Sequence, residues 1–444
     1  MRTASGVLLV VTDRRFWRRS IGSEQRIASL VEHRASQGER VVVAYLGRVS
    51  SRERPALDRF CEPFGQLEVR SRAGGPAEIL ASLLAAGRLA LSAGLRALFR
   101  RGWVDGENPL LRGSGSASAR RAFVQGLLRE LEPRAVIIEF LRLTPTVHPR
   151  PLGRAGVTAY LVDTHDVLHQ RATRFREGGV EPALEVDARQ EAEALATYDA
   201  VIAIHDGEGR TIRALVPERP VLVVPHGLAL PTPAPGFAPG PRPIRLGLLA
   251  GRDESNRAGL RWFLDSVWPK LVLRFDDRIE LRVAGRICET FSREEARKEA
   301  RKERGMQLIG ALDSIGEFWP AIDIAINPVR FGSGLKIKNV EALAYARALI
   351  TSPVGAEGLE SAAPAGLQIA DTPDEWQGVL THWIEDPAAL AHTARQGRAY
   401  AEHHFSPSTA FRELDAYLDA HLDAHLDGHL DALPTTTPSR SAPP

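Results

Sequence analysis

The chain has 444 residues and a formal net charge of +2, which is too long for one ordinary core and gives no global argument for a nucleic-acid partner. Its 44% apolar and 25% charged content fits a globular protein, and no run of about 18 uncharged apolar residues offers a membrane span. Cys61 and Cys288 stand far apart without CxxC or CxxH spacing, which argues against structural zinc or a disulfide scaffold and suits a reducing cytoplasm.

Val7–Val11 is an apolar β-branched run of the kind found in buried parallel strands. The stretch before it is too short for a secretory leader. A helix is expected over Ile21–Gln37, ended by Gly38, and a strand over Val41–Leu46, which together open a doubly wound α/β half. Residues 79–101 carry Arg88, Arg96, Arg100 and Arg101 against a leucine/alanine face. An ordinary helix covering the sheet is expected there, with docking to an anionic membrane face as the alternative. Strands follow at Ala135–Phe140, Thr158–Val162, Ala200–Ile204 and Val221–Val224, with a helix at Glu185–Thr197.

Pro231–Pro243 reads PTPAPGFAPGPRP and can continue neither a helix nor a central strand. The pattern then restarts: strand Arg245–Leu249, helix Gly259–Leu273, and strands Ile279–Ala284, Met306–Ile309 and Ile322–Ile326. Helix Lys336–Tyr345 and strand Ala348–Thr351 close it. The expected division is an N-terminal Rossmann-like half over 1–228, a linker over 229–243 and a second half over 244–398. A helix over 399–418 would cross back to the first half, before a low-complexity tail over 419–444. That tail repeats His-Leu-Asp every four residues, placing His421, His425 and His429 on one drifting helical stripe. A solvated helix end is the expected reading, although such spacing can hold a metal. No GxGxxG follows the first strand, so a dinucleotide dehydrogenase lacks its fingerprint.

The chemistry concentrates in residues 328–359. Gly332 and Gly334 form a turn that opens a helix, with Lys336 and Lys338 at its start and Glu341 behind them. Only five of the 57 basic residues are lysines, so this pair is a local concentration. Free N–H groups and the helix dipole favour an anion at such an end and repel cations. Two lysines there are best explained by a bound anion.

This segment, GSGLKIK…E…GAEGL, resembles the signature of retaining nucleotide-sugar glycosyltransferases of the GT-B fold, the "group 1" family (family 4). The resemblance implies two Rossmann-like doubly wound α/β domains facing a central cleft, the first for acceptor and the second for the nucleotide sugar. It also implies that Glu341 holds the donor ribose, and that Lys336, Lys338 and the N–H groups after Gly332 and Gly334 hold the diphosphate. Many relatives carry an acid eight residues before Glu341; here that place is Ser333. Gly251-Arg252 and Arg257 resemble the family's GR…K diphosphate clamp. Gly22, opening the first helix with Ser23 and Arg26, resembles its glycine loop. Asp163-Thr164-His165-Asp166 follows a strand at its carboxyl end, where α/β sheets place ligands. His165 takes the place of the histidine beside the donor sugar, with Asp163 or Asp166 to orient it. Pro225-His226-Gly227 matches a PNG turn, and Ala346-Arg347-Ala348 replaces the usual Gly-x-Pro.

The implied reaction is transfer of a sugar from a nucleoside diphosphate to an acceptor hydroxyl with retention and without metal or other cofactor. It would serve polysaccharide, glycolipid or other glycoconjugate biosynthesis. The expected partners are the nucleotide sugar, and a glycan, lipid-linked or small-molecule acceptor. The expected location is the cytoplasm, with the inner membrane face as a peripheral site. A non-catalytic sugar-nucleotide or glycan-binding module is the alternative, suggested by Ser333 and Ala346-Arg347-Ala348. A GT-B epimerase or phosphorylase is a further one.

Overall fold

The computed structural model describes residues 6–72, 108–112, 115–148, 158–182, 184–231, 243–290, 305–312 and 315–426. The basic stretch 79–101, nearly all of the proline-rich segment and the tail from 427 onward, with His429, lie outside the described residues. Two parallel sheets organise the rest. The first orders its strands β3-β2-β1-β4-β5-β6-β7, with β1 Val7–Thr12, β2 Arg40–Tyr45, β3 Leu67–Ser71, β4 Ala135–Glu139, β5 Ala159–Asp163, β6 Ala200–Ala203 and β7 Val221–Val223. The second orders β10-β9-β8-β11-β12-β13, with β8 Ile244–Leu249, β9 Ile279–Ala284, β10 Met306–Gly310, β11 Ile324–Asn327, β12 Ala348–Thr351 and β13 Leu367–Ile369.

The helices that bear on the argument are α1 Gly22–Ser36, α2 Gly115–Leu131, α3 Leu168–Glu177, α4 Ala188–Leu195, α5 Asp206–Leu215, α6 Glu254–Ser266 and α7 Trp268–Phe275. α8 Ile337–Ala344, α9 Pro373–Glu385, α10 Pro387–Phe405 and α11 Arg412–Leu426 complete the set. In the first sheet every residue of β1, β4 and β5 is buried, because helices cover both faces. Leu9, Val11, Val136 and Ile138 pack towards α2 and α4, whereas Leu8, Val10 and Ile137 pack towards α1. This alternation is what lets a wholly apolar strand serve two cores.

Three differences from the sequence reading have physical causes. The helix expected over Gly259–Leu273 is two helices, α6 and α7. Asp253 caps α6 through the Asn256 N–H, and Pro269 sits in the first turn of α7, where its missing N–H goes unneeded. The edge strands β3 and β13 carry mixed burial and polar residues, so no apolar run announced them. The return across to the first sheet is made by α10 and α11 with a break at Ser406-Pro407, not by one helix. Phe411, Leu414 and Leu418 then bury against Ile27, Leu30 and Val31 of α1. Where the chain leaves the first half and where it returns, the Leu228 N–H donates to the Phe405 carbonyl at 2.7 Å.

Candidate active site

β11 ends in the second domain's sheet, and the chain reaches α8 through the Gly332–Gly334 turn. Both glycines hold positive φ, at 127° and 75°, a region that side chains with a Cβ resist. Gly334 has a second reason to be glycine. A Cβ there would stand 2.9 Å from Asp166 Oδ1 and 3.2 Å from the His165 carbonyl, both in the first domain.

α8 begins at Ile337, so Lys336 is its N-cap residue and Lys338 lies in the first turn. Lys336 Nζ donates to the carbonyls of Ser333 and Gly334 at 3.0 and 2.5 Å, and stands 3.7 Å from Glu357. Burial pulls its pKa down, and the charges of Glu357 and Asp166 oppose that pull. Lys338 Nζ donates to Asn256 Oδ1 at 2.7 Å, and burial takes its pKa down to about 8. Glu341 is 1% exposed, with Oε1 unpartnered among the described residues. Burial raises its pKa to about 7, with Gln25 of α1, Trp319 and Lys338 working the other way. Two partly buried cations and a buried acid therefore share one helix start, and each has lost part of its preference for the charged form. An isolated domain would gain nothing from that arrangement; a charged ligand would.

The first domain supplies the opposite wall. Ser333 Oγ donates to Asp166 Oδ1 at 2.7 Å, and Arg174 of α3 donates to Glu357 at 2.7 Å and to the Gly332 carbonyl at 3.3 Å. At Gly22 of α1, a Cβ would lie 3.1 Å from Ile337 Cδ1, so the glycine loop touches the lysine-bearing helix. His165 stands at the carboxyl end of β5, buried, with φ 61°. That is an unusual backbone for a non-glycine residue, and the surrounding structure has to enforce it.

The expected orientation of His165 by Asp163 or Asp166 is corrected. Both oxygens of Asp163 accept from Arg26, at 2.7 and 3.0 Å, and Asp166 faces Ser333. The imidazole Nε2 instead lies 2.7 Å from Glu139 Oε2 at the end of β4. Glu139 was legible only as an acid ending the apolar run Ala135–Phe140; strand order, which sequence does not give, sets β4 beside β5. Glu139, Asp163 and His165 bring ligand atoms within 4.8 Å of one another. Arg26 already neutralises Asp163 from inside the group, so a cation there would meet a guanidinium at close range.

Among the described residues no hydrogen bond or ion pair joins Arg252 or Arg257 to Lys336 or Lys338. Arg252 and Arg257 are exposed, and Arg257 pairs with Glu254 at 2.8 Å. Asn256 and Ser255 make the contacts instead: Asn256 to Lys338, and Ser255 Oγ to the Phe331 carbonyl. At Ala346-Arg347-Ala348 the helix does not run on. Ala346 takes φ 54°, and Arg347 turns inward to donate to the Ile322 carbonyl at 2.6 Å. His226 is 1% exposed with neither ring nitrogen partnered among the described residues, and burial takes its pKa down to about 3. Among the described residues no helix is long and apolar enough to cross a membrane.

Two doubly wound parallel-sheet domains meeting along such a seam define the GT-B architecture. Sucrose-phosphate synthase from Thermosynechococcus elongatus superposes with a TM-score of 0.65 at 13% identity, over 94% of this chain and 99% of that one. Anabaena HepE in complex with UDP and glucose gives 0.60 at 11% identity, over 93% and 99%. An S. aureus TarM variant in complex with fondaparinux, α-GlcNAc-glycerol and UDP gives 0.64 at 7%, over 93% and 100%. At such identities the likeness establishes the fold. Residues 245–386 match the family model described as "Glycosyl transferases group 1". No curated protein matches the chain.

Proposed function

We propose that this chain is a glycosyltransferase that moves a sugar from a nucleoside diphosphate to an acceptor hydroxyl with retention. The observation that carries the reading is the half-buried pair Lys336 and Lys338 with the buried Glu341 at one helix start, facing His165 and Asp166 across the domain seam. The family match over 245–386, which contains that set, supports a transferase. HepE, which shares the fold, is solved with UDP and glucose and with UDP-glucose, which supports a nucleotide-sugar donor here.

In this reading the α8 N–H groups with Lys336 and Lys338 take the diphosphate, and Glu341 accepts from adjacent ribose hydroxyls. His165 meets the sugar from the first domain. The bond from the anomeric carbon to the phosphate oxygen breaks as the acceptor oxygen bonds to that carbon on the same face. The acceptor's proton passes to the departing diphosphate. Charge on the leaving group grows along this path, so the lysines favour the transition state over the ground state. No metal is required for that neutralisation.

The test is a thermal-shift screen across UDP-, GDP- and dTDP-sugars, followed by transfer assays with the donor that binds. One base should raise the melting temperature strongly by mass action. Lys336→Ala and Glu341→Ala should each lower transfer by on the order of 10²-fold or more while the fold persists. Wild-type turnover in either variant would sink the assignment.

A further inference from the structure

His165 is held by more than its own strand. The end of β4 supplies two successive residues that grip its ring: Glu139 meets the Nε2 edge at 2.7 Å, and Phe140 stacks on the face at 3.9 Å and 14° between planes. Phe140 itself has φ 84°, and its N–H donates to the Asp163 carbonyl at 2.8 Å. Arg14 and Arg142 lie over its ring at 5.0 and 4.6 Å from the centroid. Two adjacent strand ends thus each carry a residue in the left-handed region, and the two residues stack on one another. Such strain persists only where neighbours over-determine it. Glu139 is fully buried, and its second oxygen has no partner among the described residues. One buried carboxylate is therefore committed to a single imidazole nitrogen.

We propose that Glu139 is the positioning residue that fixes His165 in the tautomer carrying its proton on Nε2. A carboxylate oxygen only accepts, so the nitrogen it faces must donate. Nδ1 then keeps its lone pair. Among the described residues no hydrogen bond engages Nδ1, so it is left to accept from a substrate hydroxyl. The inference rests on the transferase reading for what that hydroxyl belongs to, whereas the tautomer follows from this geometry with Glu139 ionised. The charged groups around the ring are Glu139 from β4, Asp163 and its partner Arg26 from β5 and α1, and Arg14 and Arg142 beyond Phe140. Burial and the nearby Asp163 charge push Glu139 upward, and the His165 contact opposes them.

The experiment combines imidazole nitrogen NMR on histidine-labelled full-length protein with kinetics on Glu139→Gln, Glu139→Ala, His165→Ala and the double variant Glu139→Ala/His165→Ala. The wild-type His165 signal, assigned by its loss in His165→Ala, should show the Nε2–H tautomer, and Glu139→Ala should convert it to a mixture. Turnover should fall about a hundredfold in Glu139→Ala. The donor dissociation constant should stay within about threefold, and the double variant should be no worse than His165→Ala, as for residues acting as one unit. Glu139→Gln keeps the volume and an acceptor oxygen. It serves if the alanine variant fails to fold, and should retain part of both the tautomer and the rate. An unchanged tautomer in Glu139→Ala, or additive losses in the double variant, would overturn the proposal. Full turnover in His165→Ala with the tautomer as expected would instead count against the transferase reading.

Discussion

Lys338 and Glu341 make one residue-scale prediction with a definite sign. Burial leaves the free acid with a pKa of about 7 and the free lysine with one of about 8. On the proposed reading, a nucleotide-sugar donor needs the first ionised to accept from ribose and the second protonated to meet phosphate. Binding should therefore release a proton below about pH 7 and take one up above about pH 8, with affinity greatest between them. Calorimetry in buffers of different ionisation enthalpy reads this directly, and a dissociation constant flat from pH 6 to 9 would refute it. The same acid costs stability when empty. Its folded pKa lies above the usual 4.5, so its penalty is absent at low pH, grows as pH rises past 4.5 and levels off above 7. Glu341→Gln should therefore raise the melting temperature at pH 8, by the equivalent of about 3 kcal/mol at most, while abolishing donor binding.

Among the elements, the turn after β7 shows a residue that the resemblance could place but not explain. His226 is held neutral in a fully buried site near Arg26 and Arg19, which lower it further after burial itself. Protonation is therefore easier in the unfolded chain. The stability it permits is complete above about pH 6.5 and drains away as pH falls towards 3. His226→Asn should flatten the fall in melting temperature between pH 7 and 4.5, recovering on the order of 3 kcal/mol at the acid end. A variant with the wild-type slope would assign the acid sensitivity elsewhere.

Legibility also divides at this scale. Ile279–Ala284 and Ala348–Thr351 could be read to the residue, the first from the alternation in IELRVA and the second from the buried run ALIT. The lysine turn and Glu341 were legible because glycine, cation and acid types are rare together. What the linear chain hid was lateral order. Nothing in residues 135–140 says that β4 will lie beside β5, so the Glu139–His165 contact emerged only in three dimensions. The resemblance likewise offered Arg257, which pairs with Glu254, whereas its neighbour Asn256 accepts from Lys338.

For the whole molecule, the return of the chain onto its first half is the dominant tie. Phe411 is 1% exposed, stacks on His33 at 4.6 Å, and fills the space that Gly227 leaves by lacking a Cβ. Asp415 continues the contact through His33 at 2.8 Å and Arg34 at 2.6 Å. Phe411→Ala should cost about 3–5 kcal/mol, seen as a lowered denaturant midpoint for the first domain. An unshifted midpoint would mean that α11 is an appendage.

The Leu228–Phe405 hydrogen bond has a mechanical meaning. Two strands of chain run between the lobes, and this bond clasps them side by side. Apart from the side-chain contacts along the seam, a backbone tie at that place favours a hinge-like rocking of the two lobes over sliding. Such rocking would part Ser333 from Asp166 and Arg174 from Glu357, which on the proposed reading are the contacts a sugar nucleotide entering the seam would have to prise apart.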